Sequence, residues 1–174
     1  MKKILSIFGL IMIFYYFSSN LFIKYIEIPE NAIRLRVVPN SNSKKDQEIK
    51  EKVKNNVQKE MHQLLHNVDD IEDARKKITG NLDIIQKSVR NTLLNEGYDL
   101  DYKINYGYNY FPKKVFRGVV YKEGYYESLL ITLGKGEGNN WWCILFPPLC
   151  LLEADENTDV EYRIYVKDLI DRYF

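Results

Sequence analysis

Histidine and cysteine are scarce in this chain, two of each among 174 residues. That excludes a dense disulfide framework and leaves little material for a metal cluster. An excess of charge of either sign is also missing, with 25 Lys and Arg against 24 Asp and Glu. A nucleic-acid binder that works through a strong basic field is therefore excluded. No internal repeat or low-complexity tract is present, and no nucleotide fingerprint. Gly134-Lys135-Gly136-Glu137-Gly138-Asn139-Asn140 lacks the G-K-S/T ending of a phosphate loop and leads into no helix, and Glu137 would repel phosphate. What is present is a globular composition. With 45% apolar and 28% charged residues, the chain can bury a core and fits one domain with an appendage. No cofactor is expected.

The appendage is residues 1–26. Lys2 and Lys3 precede a 14-residue apolar run from Ile4 to Phe17, the layout of an export signal. The run is short for a bilayer span, which needs about 20 apolar residues. Reading on to Ile23 reaches that length. The segment is thus either a cleaved signal or an uncleaved anchor touching the membrane through residues 4–23; Phe17 is a poor residue two positions before a cut after Ser19. Removing residues 1–26 takes Lys2, Lys3 and Lys24, leaving 22 basic and 24 acidic residues and a net charge of −2. The exported part, residues 27–174, has no electrostatic reason to bind anionic lipid or nucleic acid.

That part reads as a single α+β domain. Glu27 to Asn31 is a linker, with Pro29 ending the apolar helix. Ile33, Leu35 and Val37 alternate with Arg34 and Arg36, the period of a half-buried strand. After the Pro39 to Asn42 turn, Ser43 and Asp46 form a capping pair. Ile49, Val53, Val57, Met61, Leu64 and Val68 make one helical stripe. Ile71, Ala74, Ile78, Leu82, Ile85, Val89 and Leu93 make a second, capped by Asp70 and stopped at Gly97. The short link predicts an antiparallel two-helix hairpin. Beyond Gly97 the period changes to two: Tyr102 to Tyr110, Val115 to Tyr121, Tyr125 to Leu133, Trp142 to Phe146, and Val160 to Val166 all read as strands, with a short helix from Asp168. The expected sheet is mainly antiparallel. Glu153, Asp155, Glu156, Asp159 and Glu161 mark an acidic stretch, with a linker at about 153–159.

Few constellations suggest chemistry. His62 and His66 share a helix face at zinc-protease spacing, but Gln63 stands where that chemistry needs glutamate, and no third ligand is evident. They read as exposed helix residues, with no metal site. Cys143 and Cys150 bracket seven bonds of chain; in an exported protein they form either a disulfide worth about 2–3 kcal/mol at most, or two buried thiols. The bridge requires the chain to fold back at Pro147-Pro148, because a straight strand carries the sulfurs too far apart. Nothing places Cys143 beside a histidine as a nucleophile. Trp141 and Trp142, adjacent on a strand, point to opposite faces, so one can enter the core while the other offers a binding anchor. Otherwise both are simply buried, after a flexible glycine loop. The 14 tyrosines suit a protein-binding or sugar-binding sheet face, or reflect strand propensity alone.

Three segments resemble a known family. Ile33-Arg34-Leu35-Arg36-Val37-Val38-Pro39-Asn40-Ser41-Asn42-Ser43 with Asp46-Gln47, then Tyr110-Phe111-Pro112-Lys113-Lys114, then Gly136-Glu137-Gly138-Asn139-Asn140-Trp141-Trp142-Cys143 through Cys150, are similar to the signatures of stage II sporulation protein R, in the family's order. Small departures are Pro39, where alanine is common, and Asn42, where aspartate is. The resemblance implies a signal made in the forespore and exported into the space between forespore and mother cell. There it would trigger a membrane-embedded aspartic protease of the mother cell, which matures pro-sigma-E. It implies a ligand, not an enzyme, acting on no small-molecule substrate. The expected contacts are Asn139, Asn140, Trp141 and Trp142, with Tyr110 and Phe111 second. Competing readings are a structural or wall-binding module and, last, a cysteine-dependent hydrolase.

Overall fold

The computed structural model describes residues 12, 26–116, 119–149 and 159–173, with side chains omitted at 26–27 and 159–165. The segment read as signal or anchor therefore lies, apart from Met12 and the backbone of Ile26, outside the described residues, as do Cys150 and the acidic residues 153–158. Among the described residues no helix is long and apolar enough to cross a membrane.

The elements in chain order are β1 (Ile26–Glu27), β2 (Ile33–Val38), α1 (Lys44–Leu65), α2 (Ile71–Gly80), α3 (Leu82–Asn95), β3 (Tyr102–Phe111), β4 (Lys114–Phe116), β5 (Val119–Tyr121), β6 (Gly124–Leu133), β7 (Trp141–Phe146) and α4 (Asp159–Tyr173). The chain is α+β, with a four-stranded sheet in the order β3-β6-β2-β7 and a small sheet β1-β5-β4. The larger sheet is mixed. β2 runs parallel to β6 and antiparallel to β7, while β3 and β6 are antiparallel. The N-terminal strand is thus central, and both faces are covered: five of its six residues are buried, Arg34 included. Its alternation looked half-solvated only because the covering layer comes from distant sequence.

One face carries the helices. α1 buries Ile49, Val53, Val57, Met61 and Leu65, each worth about 1.5–3 kcal/mol relative to exposure. Lys52 reaches Glu96 at 2.5 Å and Asn56 reaches Thr92 at 2.8 Å, so α1 and α3 run in opposite directions. The second stripe is not one helix. It breaks at Gly80-Asn81, where Asn81 caps α2 through its N–H to Ile78, because both residues are poor helix formers and good terminators. The stripe survives the break, with Ala74, Ile78, Ile85, Val89 and Leu93 buried. Asp70 caps α2. At the end of α3, Gly97 takes φ 57, while Tyr98 N–H meets Leu93 O and Gly97 N–H meets Leu94 O, the paired bonds of a Schellman stop.

The opposite face carries the small sheet and α4 around Ile28, Ala32, Val119, Tyr121, Ile144, Leu149, Val166 and Leu169. Two expectations fail here. Glu27, read as the start of the linker, instead joins Ile26 in a short strand parallel to β5. Residues 160–166 are helical, not a strand. Val166, Leu169, Ile170 and Tyr173 recur at three and four, a helical stripe that the Val-Tyr-Ile-Val alternation before it obscured. A bulge in β7 serves both faces: Ile33 pairs Phe146 and Arg34 pairs Ile144, leaving Leu145 extra. Leu145 and Phe146 consequently both join the helix-side core while Ile144 joins the other.

Candidate protein-binding surface

The first and last signature segments fold against each other. Ser43 caps α1, its hydroxyl accepting from Asp46 N–H at 3.1 Å. The Asp46 carboxylate then accepts from Asn40 Nδ2 at 3.0 Å, Ser41 Oγ at 2.5 Å and Tyr98 Oη at 2.5 Å. These donors, Ser41 foremost and then Tyr98, hold its pKa down to about 2. Burial, then the bond to Asp46, pushes the Tyr98 phenol up. The turn so fixed receives the glycine loop: Lys135 N–H donates to Asn40 Oδ1, Glu137 and Gly138 N–H to the carbonyls of Asn40 and Pro39, and Asn139 N–H to Asn42 Oδ1 at 2.6 Å. A Cβ on Gly138 would stand 2.2 Å from the Ser41 carbonyl oxygen, so only glycine permits this approach. The loop read as a flexible lead-in is a clasp.

The clasp sets the start of β7. Asn139 itself is exposed, and its carbonyl accepts from Gln47 Nε2 and Lys50 Nζ at 3.5 and 3.4 Å. Trp141 and Trp142 take opposite faces, and both are half-buried. Trp141 packs on the helix side, with Lys54 Nζ 5.3 Å from its ring. Trp142 packs on the other, in edge contact with Phe111 at 5.3 Å and Tyr121 at 4.9 Å.

Arg36 joins the second signature to the third. Its Nη1 donates to the Tyr110 carbonyl at 3.0 Å, and Asn140 Oδ1, with its amide turned to satisfy both groups, accepts from Arg36 Nη2 at 2.7 Å and Nε at 3.1 Å. The Tyr110 carbonyl and the Asn140 side chain thereby meet on the Trp142 side. The Tyr110 ring points away from it because the neighbouring Phe111 packs on Trp142, and Asn139 and Trp141 lie toward α1. Phe111 is fully buried, packing beneath Trp142 rather than presenting itself. Tyr110 is exposed beside Tyr125 at 5.7 Å, and Tyr108 is exposed nearby on the same strand face because the helical layer ends before it.

Sequence reasoning missed three groups. Arg34, placed on a polar face, is fully buried with its guanidinium 3.3 Å from the centre of the Tyr126 ring, and 5.2 and 5.7 Å from those of Phe111 and Trp142. Among the described residues Nε, Nη1 and Nη2 have no hydrogen-bond partner, and burial lowers its pKa. Lys114 holds its ammonium 5.2 Å from the Trp142 ring, at a cleft of ≈ 180 Å³ also lined by Phe116, Tyr121 and Trp141. Glu127, nearly buried, accepts from Arg75 at both oxygens and from Tyr106 Oη at 2.6 Å, tying α2 to the sheet. The signal for Arg34 was its place in the first signature segment, between two core residues.

His62 on α1 and His66 at its C-cap are both exposed, and no group of metal-holding side chains occurs among the described residues. Cys143 is disulfide-bonded; Cys150 lies outside the described residues.

Comparison with known proteins locates these features in a family. The family model described as Stage II sporulation protein R matches residues 29–156. A curated relative of that name from Bacillus subtilis (strain 168) is 41% identical over 136 residues, 78% of this chain and 61% of its own, so this chain spans about three fifths of that relative's length. No solved structure matches. With most of the chain matched by the family model, including all three signature segments that build the clasp and the Trp142 face, the chain belongs to the stage II sporulation protein R family.

Proposed function

We propose that this chain is an exported, non-catalytic sporulation signal that activates a membrane-embedded aspartic protease of the mother cell and so triggers maturation of pro-sigma-E. It reaches the space between forespore and mother cell through residues 1–26, cleaved or kept as a tether. Family membership supports the sporulation role. The observation that carries the binding role is the convergence at Arg36, which joins the Tyr110 backbone to the Asn140 side chain beside Trp142. Residues 30 apart in sequence thus meet in one hydrogen-bonded edge beside the half-buried Trp142 ring, the composition of a protein-binding hot spot.

Activation of this kind needs only preferential binding. Each tenfold shift toward the active protease requires about 1.4 kcal/mol of preference for that state. One well-buried aromatic anchor contributes at least ~2 kcal/mol. Asn139, Asn140, Trp141, Trp142 and Tyr110 are the contact residues in this reading, and Phe111 supports Trp142 from below. The test is co-expression of this chain, the protease and the precursor sigma factor in a non-sporulating bacterium. Processing that requires residues 1–26 and is lost in Trp142→Ala supports the reading; processing absent with all three proteins folded and correctly located refutes it.

A wall-binding module is the second reading, favoured by the exposed rings of Tyr108, Tyr110 and Tyr125, which suit sugar stacking. It requires retention on purified peptidoglycan that soluble glycan competes.

A further inference from the structure

We infer that the cleft beside Trp142 recognises an acidic peptide segment of the protein partner, seating an apolar side chain in the cleft and a carboxylate on Lys114. This rests on the binding role proposed above and adds the chemistry of recognition. The cleft, ≈ 180 Å³, has the size of one aliphatic or aromatic side chain. Phe116, Tyr121 and Trp142 make its walls apolar, and Lys114 is the one charged residue among the described residues that line it. Arg36 lies on the same sheet face as the direct pairing partner of Trp142, and burial leaves it poorly hydrated.

Arg34 is the independent observation that points to an anion. It is fully buried against the back of the same wall, 5.7 Å from the centre of the Trp142 ring, with three guanidinium nitrogens unbonded among the described residues. Stacking on Tyr126 offsets part of its lost hydration, but no described carboxylate pairs with it. Such a cation weakens the free chain, and replacing it with an apolar side chain of similar volume is commonly neutral or stabilising. An anion delivered by a partner changes that balance in the complex alone. The two ring distances keep the Lys114 ammonium within about 11 Å of the Arg34 guanidinium, and attraction of a carboxylate over roughly that span at an effective dielectric near 20 is worth about tenfold in affinity.

The test uses the full chain in detergent micelles, with the two tryptophan indole N–H signals followed by nuclear magnetic resonance. The probe is the capped peptide acetyl-Glu-Leu-Asp-Phe-Glu-amide, compared with its Gln/Asn counterpart. The inference expects the acidic peptide to shift the Trp142 signal and bind at least tenfold more tightly than the neutral one, several-fold less so when salt rises from 50 to 300 mM. Lys114→Ala should weaken it at least threefold. Arg34→Met should weaken it about tenfold while its urea midpoint holds or rises, which separates lost affinity from lost structure. Equal binding of the two peptides, a shift of neither tryptophan signal, or wild-type affinity in both variants would overturn the inference. So would phosphate or phosphatidylglycerol vesicles shifting Trp142 while the acidic peptide does not. The co-expression assay is read separately with Lys114→Glu. Peptide binding by the wild type alongside normal processing in that variant removes the cleft from the activating interface and overturns the inference. Processing lost in Trp142→Ala without selective peptide binding leaves the activator reading standing and overturns only the acidic chemistry.

Discussion

Asp46 should be the most informative stabilising residue of the clasp, because its contribution has both a size and a pH signature. It is 7% exposed and takes hydrogen bonds from Asn40, Ser41 and Tyr98. Its pKa falls from 3.8 to about 2, and at 1.36 kcal/mol per unit this amounts to about 2 kcal/mol of folded-state preference for the charged form. Because the folded value is depressed, the contribution is complete above about pH 4 and is lost as pH falls toward 2. Asp46→Asn removes the charge and keeps the shape. Urea unfolding at pH 7 should then show a loss of about 2 kcal/mol, or roughly a 1 M lower midpoint for an ordinary urea slope. Repeated at pH 3, the gap between wild type and variant should shrink to about half. A gap below about 0.5 kcal/mol at pH 7, or one of unchanged size at pH 3, would refute the electrostatic account of the clasp.

Other outcomes follow from the same geometry. Gly138→Ala forces the loop off the Ser41 carbonyl and should destabilise by about 1–3 kcal/mol in a thermal melt; an unchanged melting temperature contradicts the close approach. Glu127→Ala leaves Arg75 without the carboxylate that raises its pKa and Tyr106 without its acceptor, so a loss of about 3 kcal/mol is expected from denaturant titration. Trp142→Ala should reduce protease activation at least tenfold with the helical core intact by circular dichroism, since its ring packs away from that core. Cys143 should take up a thiol-reactive mass label only after reduction.

The helical face was legible because its evidence is local. The stripes from Ile49 and from Ala74, the Ser43 and Asp70 caps and the Gly97 stop each need only a few neighbouring residues to be recognised. The opposite face was not. Arg34 and Arg36 look solvated until the rings of Phe111, Tyr126 and Trp142 are brought over them from three distant strands. The small sheet and α4 that complete this face come from residues 26–28, 119–121 and 159–173, none of which announces its partner. The parallel pairing of β2 with β6 is equally invisible, since strand period says nothing about direction. The three signature segments supplied the candidate residues but not their places in the fold. The structure divides them: Asp46 and Gly138 build the clasp, Phe111 and Arg34 lie beneath the surface, and Trp142 and Lys114 line the cleft.

The central claim is that this chain itself switches on the protease by binding it from outside. The direct measurement adds purified chain to the outer face of vesicles that hold the protease and its precursor substrate in its correct orientation, and follows cleavage over time. Cleavage that rises saturably with wild-type chain, and falls at least tenfold with Trp142→Ala of equal stability, is the predicted result. Binding with no rise in cleavage, or cleavage indifferent to the added chain, would contradict it.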